Sequence, residues 1–191
     1  MNMNAEHRER LASDEWRTSL EEFLVPFTLG DLALTDLGDD VLEVGPGPGL
    51  TTDILRAALA NVTAIELDED LANALRARLA GTNVQVVNDD ATKMPFEDAS
   101  FSGAALFTML HHVPTAELQD RLFAEIRRVL RTGGVFMAMD GLASEEFEAM
   151  HTDDIYNPID PEGLRERLTT AGFREIDVRS NEWIWACHAR R

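Results

Sequence analysis

Cysteine is nearly missing from this chain. Cys187 is the only one in 191 residues, so an internal disulfide is impossible. Long hydrophobic runs are missing as well. No apolar stretch reaches the roughly 20 residues that a bilayer demands, although the 45% hydrophobic content is ordinary for a globular protein. Residues 1–10 are polar and carry no secretory pattern. Positive charge is scarce: 17 Lys and Arg face 35 Asp and Glu, a net charge of -18. Such a field repels phosphate backbones and anionic lipid surfaces and favours cationic small molecules. Only Arg127-Arg128-Arg131 and Arg190-Arg191 bring basic residues close together. One cysteine and five histidines dispersed along the sequence make no zinc-ligand pattern. These absences predict a soluble cytoplasmic protein with no metal, no nucleic-acid partner and no stable membrane association.

What is present is organised around Val41-Leu42-Glu43-Val44-Gly45-Pro46-Gly47-Pro48-Gly49-Leu50. An apolar, β-branched run breaks into three alternating glycines and leads into residues 53–60, which have helical periodicity. That order reads as strand, tight loop, helix. Gly45, Gly47 and Gly49 let the backbone turn sharply and a ligand approach it. Pro46 and Pro48 stiffen the loop by fixing φ.

The length suits one domain. Residues 1–36 read as a helical cap, with Ser13 at a helix start and Pro26 ending or kinking the helix. Strands follow at 61–68, 84–88 and 100–108. Helices follow at 69–80 and 115–131. Gly133-Gly134 is read as a turn into a fifth strand over 135–140. Residues 141–160 read as irregular or partly helical, and as a cover for the site. Residues 161–171 form a helix that stops at Gly172. The last two apolar runs are read as a hairpin. Strands alternating with helices predict an α/β fold: a doubly wound, Rossmann-like, mostly parallel seven-stranded sheet with an antiparallel C-terminal strand.

In such a sheet, ligands bind beyond the carboxyl ends of the strands. The glycine loop, Glu66, Asp90 and the stretch from Phe107 to His112 all fall there. Glu66 is placed to accept both hydroxyls of a ribose, against the plainer reading of a solvated acid. Asp90 is either an adenine acceptor or an Asx turn. Glu43, inside the first strand, needs donors if buried: loop amides, or the ammonium of an amino-acid ligand, which is the reading preferred here. A dinucleotide fingerprint fails because position 50 is Leu, and a P-loop fails because no Gly-Lys-Ser/Thr follows.

These residues resemble the class I S-adenosylmethionine-dependent methyltransferases, especially their small-molecule branch. Residues 41–49 are similar to the family's first motif, 64–68 to its second, and 89–96 to the adenine segment. Leu110-His111-His112-Val113 and residues 126–134 are similar to later motifs, and Ala171-Gly172-Phe173 to the entry into strand six. The resemblance implies S-adenosylmethionine as cofactor and S-adenosylhomocysteine as product, bound by Glu43, Gly45, Gly47, Gly49, Glu66, Leu67, Asp90, Ala91 and Phe107. It implies methyl transfer to a small-molecule acceptor. His111 or His112 is a candidate base, and His112, His151 and Tyr156 are candidates for the acceptor pocket. For His111 and His112 the plain alternative is packing, and for His151 and Tyr156 an ordinary surface loop. Ser102 and Arg131-Thr132 depart from the family's usual residues, and the final hairpin connection is short. Two other readings stand beside this one: a non-catalytic S-adenosylmethionine-binding protein, and an NAD-dependent oxidoreductase.

Overall fold

A computed structural model of the chain describes residues 9–152 and 154–191; the part of the expected N-terminal cap before residue 9 lies outside them. Helix α1 (Asp14–Ser19) starts where the Ser13 hydroxyl accepts the Trp16 amide at 3.1 Å. Pro26 does not end the helical run. A π-helical turn, Leu20–Leu24, leads directly into α2 (Val25–Leu29). The Val25 amide reaches back to the Leu20 carbonyl, and Pro26 sits in the first turn of α2. There the proline's missing N–H costs little. The run stops at Gly30, whose φ of 57° a side chain would disfavour. Arg179 then donates to the carbonyls of Phe27 and Thr28, tying the end of α2 to the far edge of the sheet.

Seven strands follow: β1 (Asp40–Val44), β2 (Asn61–Glu66), β3 (Val84–Asn88), β4 (Phe101–Phe107), β5 (Leu130–Gly141), β6 (Arg174–Ser180) and β7 (Ile184–Arg190). The helices between them are α3 (Leu50–Ala58), α4 (Glu69–Arg78), α5 (Ala116–Val129), α6 (Glu145–Ala149) and α7 (Pro161–Thr170). The sheet order is β3-β2-β1-β4-β5-β7-β6. All neighbours are parallel except β7, which is antiparallel to both β5 and β6. This is the expected α/β Rossmann-like sheet, with β7 as the antiparallel strand. The chain reverses its direction of travel across the sheet between β1 and β4, which opens the crevice that ligands use.

Alternation along the strands splits the core in two. Leu42, Val44, Ile65, Leu106 and Phe136 pack on one face with Leu122, Phe123 and Ile126 of α5. Val41, Ala105, Phe107, Met137 and Met139 pack on the other with Leu20, Leu24 and Leu55. Two local expectations are corrected. Strand β5 begins at Leu130, which pairs with Phe101, so Gly133-Gly134 lies inside an irregular strand rather than in a turn before it. The Gly133 φ of 79° supplies that irregularity. In the hairpin, Trp183 belongs to the turn, because the Asn181 side chain accepts the amides of Trp183 and Ile184.

Candidate active site

The glycine loop leaves β1 and enters α3 with three left-handed residues: φ is 65° at Gly45, 54° at Gly47 and 87° at Gly49. Their surroundings differ. A Cβ on Gly49 would lie 2.3 Å from Leu75 Cδ1 and 2.5 Å from Arg78 Nη2, so this glycine lets α4 pack on the start of α3. A Cβ on Gly45 would press against Met109 at 3.0 Å. A Cβ on Gly47 would meet nothing within 4 Å. Gly45 and Gly47 line a cavity of about 290 Å³ at the crevice; Gly49 is not among its lining residues.

Glu66 ends β2 at the wall of this cavity and is 8% exposed. Its carboxylate accepts the Gly47 amide at 3.0 Å and the Asp68 amide at 2.9 Å. Burial nevertheless outweighs these bonds and holds its pKa above the ordinary carboxylate value. Leu67, Asp90, Ala91 and Phe107 also line the cavity. Asp90 caps the short 3-10 turn Ala91–Lys93, where one carboxylate oxygen accepts the amide and hydroxyl of Thr92, each at 2.8 Å. The Asx-turn reading of Asp90 is therefore realised, and the residue still borders the cavity.

Glu43 is buried inside β1. It is 1% exposed and is not among the residues lining the cavity. The alternation of β1 puts Leu42 and Val44 on one face and turns Glu43 toward the first turn of α3. There its Oε1 accepts the Thr51 hydroxyl. Its other oxygen, Oε2, has no hydrogen-bond partner among the described residues. The donor on Oε1 is the Thr51 hydroxyl rather than a loop amide. Burial raises the Glu43 pKa to about 7, against the opposing effect of the Thr51 and Thr52 hydroxyls.

The histidines divide. His112 lines the cavity and His111 does not. The buried His111 Nδ1 lies 2.6 Å from Asp140 Oδ1, and its amide donates to Asp140 Oδ2 at 2.9 Å. His151 and Tyr156, expected at an acceptor pocket, are also absent from the lining. His151 is held by its Nδ1 against the Phe147 carbonyl at 2.7 Å. Tyr156 meets the Phe147 ring edge-on and the His151 ring at a tilt, and its hydroxyl accepts the Ser144 amide at 3.3 Å. The picture of dispersed histidines also needs correction. His111, His112 and His151 converge, because the chain between residues 112 and 151 runs out through α5 and returns along β5.

Thr108, a non-glycine at φ 50°, turns the chain out of β4 so that Met109, Val113 and Leu118 border the cavity. Val113 closes the Leu110–Val113 motif, whereas Thr108 and Met109 are marked only by position just past the carboxyl end of the fourth strand. Trp16, one of three aromatics of the N-terminal helices, lines the cavity together with Leu11 and Leu20. Phe23 is 57% exposed, and Phe27 packs in the second core cluster. Nothing local distinguishes Trp16 from these two.

A parallel sheet with a glycine loop at its switch point, and a buried acid ending the next strand, defines an α/β nucleoside-binding protein. Open space at the Gly47 Cβ position, the Glu66 carboxylate and the apolar Leu67, Leu71 and Ala91 suit an adenosyl group. Residues 42–138 match the family model described as "Methyltransferase domain". The chain belongs to the class I S-adenosylmethionine-dependent methyltransferase family, whose cofactor is S-adenosylmethionine. It is 34% identical over 126 residues to 24-methylenesterol C-methyltransferase 2 of Arabidopsis thaliana, covering 62% of this chain and 34% of that protein. It is 48% identical over 61 residues to ribosomal RNA small subunit methyltransferase A of Moorella thermoacetica, covering 31% of this chain and 21% of that protein. The chain thus spans about a third of the length of the first of these relatives and about a fifth of the second. In fold it is similar to phosphoethanolamine N-methyltransferase 2 of Haemonchus contortus, solved with S-adenosyl-L-methionine. The TM-score is 0.74 at 16% identity, over 96% of this chain and 59% of that one.

Proposed function

We propose that this chain catalyses transfer of a methyl group from S-adenosylmethionine to a small, largely apolar acceptor. The observation that carries the reading is the make-up of one cavity across the sheet edge. On the β2 and β3 side it presents Glu66, Asp90 and the glycine loop. On the β4 side it presents Phe107, Met109 and Val113, with Trp16 and Leu20 from the N-terminal helices. The first set suits a nucleoside, the second an apolar partner.

The cofactor, when bound, supplies a sulfonium methyl for in-line displacement. The chain's own residues bind, orient and exclude water. Gly45 and Gly47 admit close backbone approach. Glu66 would take the ribose hydroxyls, and Asp90 and Ala91 would hold the adenine, with Leu67 and Phe107 completing that wall of the cavity. Gly49 and Glu43 serve the loop from behind, one by helix packing and one by holding Thr51. His112 is the polar group that meets the acceptor, whereas His111, His151 and Tyr156 support that wall without touching the ligand. Residues 9–36 and 141–160 form the cap. Holding both reactants in one desolvated site supplies much of the acceleration, so no general base is assigned.

An apolar acceptor agrees with the sterol-methylating relative. The net charge of -18 weighs against the ribosomal RNA substrate of the other, since phosphate binding needs cationic contacts. Among the described residues no helix is long and apolar enough to cross a membrane.

The test has two stages. Calorimetric titration with S-adenosylmethionine, S-adenosylhomocysteine and NAD comes first. Binding of the first two alone supports the reading; binding of NAD alone overturns it. Transfer of a radiolabelled methyl to sterols, prenylated quinols, small amines and structured RNA then follows. Counts in an apolar small molecule support the acceptor class. Counts only in RNA overturn it, and cofactor binding with no transfer to any acceptor favours the non-catalytic alternative.

A further inference from the structure

The three histidines that converge behind the cavity wall have a shared arrangement. His111 and His112 sit on the 3-10 turn Leu110–His112, and His151 follows α6. Their ring centroids lie 4.1, 4.7 and 5.2 Å apart, and one ring nitrogen of each lies within 4.8 Å of the other two. Each Nδ1 faces an oxygen: Asp140 Oδ1 at 2.6 Å for His111, Asp154 Oδ1 at 3.6 Å for His112, and the Phe147 carbonyl at 2.7 Å for His151. All three Nε2 atoms are buried. A carboxylate or carbonyl hydrogen-bonded to one ring nitrogen, as at His111 and His151, fixes the tautomer so that the other nitrogen is the ligand atom, which is how proteins orient metal-binding imidazoles.

We infer that His111, His112 and His151 form a binding site for one divalent transition-metal ion, with zinc the best match. Three imidazoles suit zinc, with a fourth position left to water or another oxygen. Zn–N bonds of about 2.0–2.1 Å place tetrahedral donors about 3.4 Å apart. The ligand nitrogens, within 4.8 Å of one another, therefore draw together by up to about 1.4 Å on binding. The ion joins the two segments that frame the site. His112 lines the cavity, and His151 belongs to the segment between β5 and α7. A metal on all three holds that segment against the cavity wall.

The chelator-treated full chain is titrated with Zn2+ by calorimetry and with Co2+ by visible absorption. Expected are saturation at one ion per chain, the d–d bands of four-coordinate cobalt with nitrogen ligands, and a rise in melting temperature. His151→Gln and His112→Gln each lower the affinity by about 100-fold or more, and Asp140→Asn, which alters only a partner of a ligand, by about 10–100-fold. Circular dichroism and S-adenosylmethionine titration on the same samples establish that each variant is folded. No saturable binding of either ion overturns the inference, and so does binding that persists unchanged in both histidine variants, which belongs to the acidic surface. The cofactor titration is read independently, so a failed metal site leaves the proposed function standing.

Discussion

Glu66 and Gly47 are joined across the end of the sheet: the carboxylate that terminates β2 accepts the Gly47 amide at 3.0 Å. The acid read as a ribose acceptor therefore also holds the loop that a ligand must approach. Replacing Glu66 by Ala removes both contributions. Hydrogen bonds to charged groups are worth about 1.5–3 kcal/mol, so S-adenosylmethionine affinity is expected to fall by about 10–100-fold. Glu66→Gln retains an acceptor and loses less. Calorimetric titration of the two variants checks the order.

The loop glycines are expected to fail in different ways. Gly47→Val places its side chain where nothing lies within 4 Å. Its cost to stability is about the 1–2 kcal/mol of a left-handed backbone, while cofactor binding is lost severely. Gly49→Ala carries that strain and also drives a methyl into Leu75 and Arg78, adding about 1–3 kcal/mol of overpacking. Chemical denaturation and ligand titration, run on both variants, separate a binding defect from a folding defect.

Glu43 makes stability depend on pH. Its folded-state pKa is raised from 4.5 to about 7, so between those values the folded chain holds a proton that the unfolded chain has lost. Stability from this group is fully present below about pH 4.5, declines as pH rises, and is gone above about pH 7. The difference amounts to about 3 kcal/mol. Glu43→Gln keeps the shape without the charge, so its advantage over the parent should grow from pH 5 to pH 8. Paired urea denaturation curves across that range test this, and a constant difference would contradict it.

Trp16 is the test of the N-terminal helices as part of the acceptor wall. Trp16→Ala removes apolar contact worth about 1.5 kcal/mol or more. Acceptor KM is expected to rise about tenfold while S-adenosylmethionine affinity changes little. Equal losses in both would place Trp16 on the cofactor rather than the acceptor.

Pro26 and Glu43 mark the reach of local sequence pattern. A proline inside a helical pattern ordinarily breaks it, yet a π turn placed just before Pro26 absorbs the missing donor. That turn depends on Leu20 and Leu24 packing into the core, and periodicity does not register such contacts. Glu43 is legible as a buried acid in a strand. Which donor answers it depends on where α3 sits, and that position is set by Gly49 packing against α4.

The sequence by itself determined the strand–loop–helix order, the parallel sheet with its antiparallel closing strand, and the cluster of Gly45, Gly47, Glu66, Asp90 and Ala91 at the switch point. These follow from period-two and helical patterning and from glycines at positive φ, signals carried by residues close together in the chain. Tertiary structure alone decided that Trp16 faces the cavity while Phe23 does not, and that His151 returns to stand beside His111. Those placements depend on contacts between segments far apart in sequence, where hydrophobic burial specifies that a residue is covered but not which neighbour covers it.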